Sequence, residues 1–358
     1  MITFKLILDL ICGLVALFLV ALIVLAIVLR KISQRRPDIS RNESEKCYLD
    51  RSQGSKKRFP IVDSNSIKSF SKSAIVSQAA SSYPVYLSVV VPAYNEEKRL
   101  PVMLDEAISY LEKRSQSVSV DPLIVSGKNF SYEIIIVDDG STDRTTQVAL
   151  DYTDKYGTDK IRLLTLSRNR GKGGAVRLGV LSSRGFLVLF ADADGATKFS
   201  EIEKLERPLL EQNLTTTVSD RQASISIGSR AHLEEEAIAT RSAIRTFLMH
   251  GFHFLVWFSA VRSVRDTQCG FKLLPRKVAD LLFSWIHVEK WAFDVELLFL
   301  CEALGIQINE VCVSWTEIEG SKVVPVLSWL QMGRDVLSIA FMYTIGAWAI
   351  PEKESESK

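Results

Sequence analysis

Cysteine and histidine are scarce in this sequence of 358 residues, which contains five cysteines and four histidines. The number of cysteines is odd, no two are spaced as C-x-x-C, and Cys12 lies inside an apolar run. These features exclude a disulfide framework and indicate a reducing compartment. His250 and His253 have no cysteine or carboxylate close by, which favours packing or a membrane-facing helix over a zinc site.

A strong charge of either sign is also missing. The formal net charge is +2, and charged residues make up 24% of the chain. The stretch Arg30–Arg58 carries ten basic residues against four acidic ones, so the rest of the chain is slightly acidic. Because nucleic-acid binding needs a basic footprint, we predict no nucleic-acid partner.

Only one apolar run is long. Ile11–Leu29 contains nineteen uncharged, mostly apolar residues, enough to span a hydrocarbon core of about 30 Å. The run continues into Arg30 and Lys31 rather than into a cleavage site, which is typical of an uncleaved membrane anchor. The basic residues on its C-terminal side predict that this side stays in the cytosol.

Composition divides the chain into five predicted segments. The stretch after the anchor is rich in Ser, Lys, Arg and Asn and has few apolar clusters, which is typical of a tether. The segments are a transmembrane anchor at 6–29, a basic polar linker at 30–84, an α/β domain at 85–325, a C-terminal interfacial helical region at 326–350 and a charged tail at 351–358.

From Tyr86 onward, β-rich runs alternate with helical patterns, an order that predicts a parallel sheet covered by helices on both faces. Ligands of such sheets bind at the carboxyl ends of the strands. The predicted strands are Leu87–Val91, Glu133–Val137, Ile161–Leu166, Phe186–Phe190 and Ala223–Gly228. The predicted helices are Glu96–Arg114, Thr142–Tyr156, Gly173–Ser183 and Ser200–Gln212.

Polar clusters follow the first four of these strands directly. They read P-A-Y-N-E-E from Pro92, D-D-G-S-T-D from Asp138, S-R-N-R-G-K-G-G from Ser167 and A-D-A-D-G from Ala191. Each cluster by itself is compatible with a helix cap or a plain turn. Four of them at one edge of the same sheet predict a functional cleft.

The residue types indicate the chemistry of that cleft. Asp192 and Asp194 offer oxygen ligands to a hard cation that bridges a diphosphate. Lys172 and the backbone N–H groups of 171–174 suit a phosphate or a carboxylate. The first two clusters supply shape and hydrogen-bond acceptors for a base and a ribose.

At this point the sequence resembles the family-2 glycosyltransferases with a GT-A fold, over roughly Tyr86 to Val324. The segments that carry the resemblance are S-V-V-V-P-A-Y-N-E-E-K-R-L, E-I-I-I-V-D-D-G-S-T-D-R-T, N-R-G-K-G-G-A-V-R and F-A-D-A-D-G-A-T. Three later segments, G-S-R-A-H-L, R-D-T-Q-C-G-F-K-L and W-T-E-I-E-G-S-K-V, narrow it to polyprenyl-phosphate glycosyltransferases and favour the glucosyl branch. The implied fold is a Rossmann-like, mostly parallel sheet with helices on both faces, preceded by one transmembrane helix.

The resemblance also implies roles for individual residues. The implied donor-binding residues are Pro92, Ala93, Tyr94, Glu96, Asp138, Asp139, Lys172 and Asp192. The implied catalytic residues are Asp192, Asp194, Arg230 and Asp266, with Asp194 as the ligand of Mg²⁺ or Mn²⁺. The acceptor phosphate is expected to contact Arg230, Arg241, Arg245 and Gln268.

Two family patterns are missing. Gln331-Met332-Gly333-Arg334 is followed by Asp335, not by the tryptophan of the Q-x-x-R-W motif, and this excludes a processive polysaccharide synthase. The T-E-D acid motif is absent as well, so the sequence identifies no general base. A phosphate monoester, with a second pKa of about 6, is already largely anionic near pH 7. Such an acceptor needs positioning by arginine more than deprotonation.

Two short apolar stretches have two interpretations each. Phe247–Val261, which is flanked by arginines, and Val336–Ile350, which carries Tyr343 and Trp348, fit interfacial helices that lie on the bilayer. A buried core helix is the alternative for both.

Taken together, the resemblance implies transfer of glucose from UDP-glucose to dolichyl phosphate, with inversion, at the cytosolic face of the endoplasmic reticulum membrane. The product would serve lipid-linked oligosaccharide assembly and N-glycosylation. Two alternatives stay open: the same chemistry with another donor such as GDP-mannose, and a non-catalytic membrane protein that binds nucleotide sugars. The sequence gives no oligomeric state.

Overall fold

A computed structural model of the chain describes residues 2–71, 80–116, 130–215, 222–233, 251, 261–318 and 327–353. Several predictions fall outside these ranges. They concern Arg241, Arg245, the pair His250 and His253, and nearly all of the stretch Phe247–Val261.

The N-terminal helix α1 spans Ile2–Ile32. Its segment Cys12–Ile32 has a mean hydropathy of 3.3 and is not buried against any other part of the chain, and it is a candidate membrane span by length and composition. Arg30 and Lys31 occupy its last turn, where positive charge interacts favourably with the helix dipole. The predicted N-terminal apolar helix is therefore confirmed.

The remaining elements alternate between strands and helices along most of the chain. The strands are β1 (Cys47–Asp50), β2 (Ser55–Arg58), β3 (Ser69–Phe70), β4 (Val85–Ala93), β5 (Tyr132–Asp138), β6 (Ile161–Thr165), β7 (Gly185–Ala191), β8 (Ser224–Ser229), β9 (Phe271–Pro275), β10 (Gln307–Cys312) and β11 (Glu352–Lys353). The other described α-helices are α2 (Leu100–Gln116), α3 (Thr145–Tyr156), α4 (Lys172–Val180), α5 (Ile202–Thr215), α6 (Arg276–Phe283), α7 (Phe293–Leu304) and α8 (Leu327–Thr344).

Seven strands form the central sheet, in the order β10-β8-β9-β7-β4-β5-β6. All neighbouring pairs are parallel except those of β9, which runs antiparallel to both β7 and β8. Strands β4, β5 and β7 are mostly apolar and buried along nearly their whole length, as expected for parallel strands that are covered on both faces. The mostly parallel sheet with helices on both faces confirms the predicted fold class.

A hydrophobic core lies on each face of this sheet, because successive side chains of a strand point to opposite faces. Val90, Val137 and Phe190 belong to one core, which is covered by α4, α6, α7 and α8. The neighbouring residues Val89 and Ile136 belong to the other core, which is covered by α2, α3 and α5. This double cover fixes the strand ends, and hence the loops that follow them.

The segment that follows α1 is not the tether that its composition suggests. Residues 33–71, called the juxtamembrane segment below, pack against the sheet domain. Phe59 is only 4% exposed and belongs to the core. The Trp285 indole donates to the Ile67 carbonyl at 3.1 Å, and Arg41 donates to the Ser182 hydroxyl at 2.7 Å. Composition missed this packing because it depends on a few polar groups with distant partners.

Helix α8 packs on the sheet domain through one side. Met332, Val336 and Ile339 are buried, whereas Leu330 and Leu337 are 67% and 53% exposed. Two aromatic residues that were expected at a membrane interface face inward instead. Trp348 stacks on His287 with ring centroids 4.3 Å apart, and the Tyr343 hydroxyl donates to Glu296 at 2.8 Å. Both aromatic side chains therefore contact the sheet domain, and the interfacial role of the stretch Val336–Ile350 stays a prediction.

Candidate active site

The loops after β4, β5, β6, β7 and β8 meet at one edge of the sheet, as predicted for the ends of parallel strands. They form a cleft in which predicted nucleotide residues lie near β5, a pair of aspartates follows β7, and predicted acceptor residues lie near β8; the first and last parts are called the nucleotide end and the acceptor end below. We describe these three parts in turn.

Asp139 is the centre of the nucleotide end. It is 3% exposed, and its carboxylate accepts the backbone N–H groups of Arg170 at 2.7 Å and Gly171 at 2.9 Å. Burial raises the pKa of Asp139 to about 6, even though these two N–H groups favour its charged form. Gly171 has φ +88°, and a Cβ there would lie 2.8 Å from the Glu289 carbonyl oxygen. Glycine is therefore required at the point where the chain passes Asp139.

The neighbouring Asp138 has no exposed surface. Its carboxylate accepts the Ser141 N–H at 2.9 Å and the Thr146 hydroxyl, so it shapes the loop that leads into α3. Consecutive residues at a strand end point to opposite faces, which explains why only one of the two aspartates reaches the cleft. In this structure Asp138 contacts its own loop, and its donor-binding role stays a prediction.

The loop after β4 carries the other predicted nucleotide residues. Pro92 and Ala93 end the strand, and the Asp139 N–H donates to the Ala93 carbonyl at 2.9 Å. Tyr94 is 38% exposed, so its ring is accessible. Glu96 is 8% exposed and accepts both Nε and Nη2 of Arg99 at 2.7 Å, which occupies its carboxylate.

Asn95 joins this loop to the loop after β5. Its φ of 53° is in the left-handed region, where asparagine is tolerated. The Asn95 Oδ1 atom accepts the Thr142 N–H at 2.8 Å, and the Ser141 hydroxyl accepts the Asn95 N–H at 3.0 Å. The two loops are thus held in one arrangement around the nucleotide end.

Asp192 and Asp194 follow β7 at the centre of the cleft. Lys172, the first residue of α4, places Nζ 2.6 Å from Asp192 Oδ1. Burial lowers the pKa of Lys172, but the charges of Asp192, Asp294 and Asp194 outweigh it and leave the pKa raised. Lys172 is therefore a cation at neutral pH, held against the first aspartate.

Asp194 is the aspartate that is better suited to hold a metal. Burial and the charge of Asp192 raise the pKa of Asp194, and its Oδ1 accepts the Ala196 N–H at 3.0 Å. A divalent cation would relieve this repulsion between the two carboxylates. No group of three or more His, Cys, Asp or Glu side chains forms a metal site in the described ranges. Mg²⁺ commonly uses one or two carboxylates with substrate phosphates and water, so this pair fits such an ion.

Gly270 separates the aspartates from the acceptor end. The Asp192 N–H donates to the Gly270 carbonyl at 3.1 Å, and a Cβ built on Gly270 would overlap the Asp192 carboxylate. A small cavity beside this contact is lined by Asp192, Asp194, Arg230 and Trp315 among others. The central and acceptor parts of the cleft are therefore contiguous.

Arg230 dominates the acceptor end. Its backbone N–H and its Nε donate to Asp266 Oδ2 at 2.8 Å, and its Nη2 donates to Asp266 Oδ1 at 2.9 Å. The guanidinium carbon lies 5.4 Å from the centre of the Trp315 ring. The pair uses the Nε and Nη2 edge of the guanidinium, and the Nη1 donors lie outside it. Arg230 is oriented before any ligand arrives.

Asp266 is unsuited to the role of a base. Burial would raise its pKa, but the hydrogen bonds and charge of Arg230 hold the pKa below its usual range. Both oxygens are engaged by Arg230, and Oδ1 also accepts the Gln268 N–H at 3.2 Å. Asp266 orients Arg230 in this structure, and its catalytic role stays a prediction.

Gln268 does not point its amide toward Arg230. Its Nε2 lies 3.1 Å from the Met332 sulfur in α8. Of the four predicted acceptor residues, the structure brings only Arg230 to the cleft through its side chain, since Arg241 and Arg245 lie outside the described residues.

Sequence analysis missed a buried ion pair behind the acceptor end. Lys272 has no exposed surface, and its Nζ contacts Asp294 Oδ1 at 2.6 Å, the Cys269 carbonyl at 2.6 Å and the Thr267 carbonyl at 3.1 Å. It thereby holds the turn between Asp266 and β9. The available signal was a lysine inside the otherwise apolar strand F-K-L-L.

Comparison with known proteins identifies the class. A sequence model of "Glycosyl transferase family 2" matches residues 88–283, which include both ends of the cleft. The chain belongs to this family, as its motifs predicted.

Several relatives match along nearly the whole chain. A dolichyl-phosphate beta-glucosyltransferase of Mus musculus is 52% identical over 96% of this chain and 96% of its own length. Proteins with the same name from Homo sapiens and Saccharomyces cerevisiae are 51% and 43% identical over 94% and 74% of this chain, and 94% and 77% of their own lengths. The predicted resemblance to the glucosyl branch is confirmed.

Solved structures give a more distant similarity. Glucosyl-3-phosphoglycerate synthase from Mycobacterium tuberculosis, in complex with UDP, is 18% identical with a TM-score of 0.48. The match covers 75% of this chain and 82% of that one.

Proposed function

We propose that this chain transfers glucose from UDP-glucose to the phosphate of dolichyl phosphate, with inversion at the anomeric carbon. The observation that carries the proposal is the order of groups along the cleft. A buried acceptor carboxylate, a lysine-bound pair of aspartates and a pre-oriented arginine follow one another at one sheet edge. The names of the full-length relatives support glucose as the sugar and dolichyl phosphate as the acceptor.

The nucleotide end is suited to uridine. Asp139 offers a carboxylate with no ion-pair partner among the described residues, and Tyr94, in the loop after the adjacent strand β4, offers an accessible ring. A uracil N–H would donate to Asp139, and the base would pack on Tyr94. The rigid connection through Asn95 holds these groups in one geometry, which reduces the entropy lost when the donor binds.

The centre of the cleft is suited to a diphosphate. We propose that Asp194, with Asp192 beside it, holds Mg²⁺ or Mn²⁺, which when bound would neutralise charge on the departing diphosphate. Lys172 places a second positive charge at the same point through its 2.6 Å contact with Asp192. The N–H groups of Gly171 and Gly174 at the start of α4 already donate to Asp139 and to the Glu289 carbonyl, so the proposal relies on the Lys172 side chain.

The acceptor end is suited to a phosphate monoester. Arg230 presents its guanidinium with a fixed orientation, and arginine can bind two phosphate oxygens at once. A phosphate that is already anionic attacks the sugar carbon directly, so the carbon–oxygen bond to UDP breaks and inversion results. Proton abstraction is not needed, which agrees with the low pKa of Asp266. Arg241 and Arg245 stay proposed partners of the same phosphate.

We further propose that the enzyme is a single-pass protein of the endoplasmic reticulum membrane with its catalytic domain in the cytosol. The basic residues at the end of α1 support this orientation. Asn42 lies in an N-x-S sequon and is exposed, so its glycosylation state reports on the topology. A glycosidase-sensitive mass shift of the native protein would contradict this topology.

The decisive experiment offers purified full-length protein several labelled nucleotide sugars together with dolichyl phosphate. We expect glucosyl transfer from UDP-glucose and a product with the β configuration. Transfer from GDP-mannose alone would replace the donor assignment. Binding of UDP-glucose without turnover under any metal would support the non-catalytic alternative.

A further inference from the structure

The juxtamembrane segment crosses behind the nucleotide end of the cleft. Its short helical turn Glu43–Lys46 brings Glu45 against the loop between β6 and α4. Glu45 has no exposed surface, although it lies in a stretch with many charged residues. A fully buried carboxylate is costly unless hydrogen bonds and a counter-charge compensate it.

The partners of Glu45 all belong to two nearby stretches. Its Oε1 accepts the Ser167 N–H at 3.0 Å and the Ser167 hydroxyl at 2.7 Å. Its Oε2 accepts Nη2 of Arg170 at 2.8 Å and the Asn42 N–H at 3.1 Å. Glu45 therefore holds both ends of the loop 167–170 with a single carboxylate. The Asn42 amide reinforces this contact by donating to the Ser167 hydroxyl at 2.5 Å.

The same loop carries the two N–H groups that hold Asp139. The Arg170 guanidinium donates to Glu45, and the Arg170 backbone N–H donates to Asp139 at 2.7 Å. The backbone N–H of the next residue, Gly171, donates to Asp139 at 2.9 Å. The Arg170 side chain is only 5% exposed, and Glu45 is its one ion-pair partner among the described residues. A shift of Arg170 would then move both donors of Asp139.

We propose that Glu45 is a positioning residue for the nucleotide end of the donor site and acts through Arg170 on Asp139. The donor site of this enzyme would then include a membrane-proximal element that lies outside residues 88–283, the part matched by the family model. The inference rests on the proposed function, because it takes a uridine nucleotide as the ligand of Asp139.

A purely structural role of Glu45 makes a different prediction. If Glu45 only stabilised the fold, its loss would lower the melting temperature and reduce the active fraction, with the KM for the donor unchanged. If it positions Asp139, the donor KM and dissociation constant rise while kcat and the acceptor KM change little.

The experiment compares Glu45→Gln with Glu43→Gln in the full-length protein in detergent micelles. Glu43 is two residues away, its side chain is 72% exposed, and it pairs only with Lys46 and Arg58 among described residues, so it is a matched control. We expect Glu45→Gln to raise the KM and dissociation constant of UDP-glucose about tenfold, because a 1 Å misplacement can cost up to about a hundredfold. Glu43→Gln should match the unaltered protein. The proposal would be overturned if both variants behaved alike, or if Glu45→Gln raised the KM values for donor and acceptor by the same factor.

A double-mutant cycle with Asp139→Asn tests the route. Once Asp139 is replaced, Glu45→Gln should weaken donor binding much less than it does alone, whereas full additivity would contradict action through Asp139. Ser167→Ala, which removes one hydroxyl contact of Glu45, provides a second variant if Glu45→Gln fails to fold, and should raise the donor KM about threefold. If the unaltered protein binds no UDP-glucose, the proposed function fails; if it binds and Glu45→Gln binds equally well, only this inference fails.

Discussion

The two ends of the cleft hold a buried aspartate in opposite ways. Asp139 at the nucleotide end and Asp266 at the acceptor end are 3% and 6% exposed. Asp139 accepts neutral backbone N–H groups and has its pKa raised to about 6. Asp266 accepts hydrogen bonds from the charged Arg230 guanidinium, and its pKa is lowered. With burial nearly equal, the charge of the partner decides the direction of the shift.

This difference fits what each end would bind. A nucleobase is neutral and donates N–H groups, so an aspartate without a cationic partner is a suitable acceptor for it. A lipid phosphate is anionic, so the acceptor end keeps a cation and uses its aspartate to orient that cation. The three predictions below test this contrast, beginning with the aspartates between the two ends.

Asp194→Ala should have the largest effect. We expect kcat to fall by about a thousandfold or more, because the site loses the ligand for the ion that neutralises the diphosphate. The fold should persist, because burial and Asp192 disfavour the charged form of Asp194. Single-turnover rates and Mn²⁺ binding by calorimetry would be measured, with the exposed Asp154→Ala as the control. Near-normal turnover in Asp194→Ala would remove the metal assignment.

Asp266→Asn should have an intermediate effect, confined to the acceptor end. Arg230 would lose its counter-charge and its fixed orientation, so we expect the KM for dolichyl phosphate to rise about tenfold and stability to fall by about 1–3 kcal/mol. The UDP-glucose dissociation constant should stay within about twofold, since the nucleotide end shares no hydrogen bond with Arg230. An equal weakening of the binding of both substrates would show that the two ends of the cleft are not independent.

The smallest effect is a pH dependence of donor binding. With a pKa of about 6, Asp139 is charged at pH 7.5 and mostly protonated at pH 5, where it loses acceptor capacity. We expect the UDP-glucose dissociation constant, measured without metal, to rise roughly threefold to tenfold as the pH falls through 6. Asp139→Asn should flatten this dependence.

Unfolding at low pH does not account for the expected weakening of UDP-glucose binding. A carboxyl group whose pKa is raised by folding binds its proton more tightly in the folded state, so its contribution to stability is present at low pH and is lost as the pH rises through about 6. UDP-glucose itself has no group that titrates in this range, because neither of its phosphates is a monoester. A persistent pH dependence in Asp139→Asn would assign the effect to another group.

Much of the sheet and its edge could be predicted from local sequence. All five predicted strands and all four predicted helices are present with shifts of no more than four residues, because buried parallel strands are continuous apolar runs. The polar clusters after these runs meet as expected, since parallel strands end at one edge. Lys172 and Asp192 are the clearest case, 20 residues apart in the chain and 2.6 Å apart in space.

Features that depend on distant pairing could not be predicted. The antiparallel direction of β9 and the burial of Lys272 within it can be predicted only when the neighbours of β9 in the sheet are known. Glu45 has partners more than 120 residues away, so its stretch has the composition of a solvated tether. The inward orientation of Asp138 depends on the pleat of a single strand end, which the pattern D-D does not reveal.

Gly270 keeps the Asp192 carboxylate in its place at the centre of the cleft. It precedes the reversed strand β9, and a Cβ built on it would overlap that carboxylate, so even a methyl group would displace it. The cavity lined by Asp192 and Arg230 lies beside this contact. The proposed sugar carbon and lipid phosphate would have to touch in this open space, and a side chain at position 270 would disturb the carboxylate that borders it.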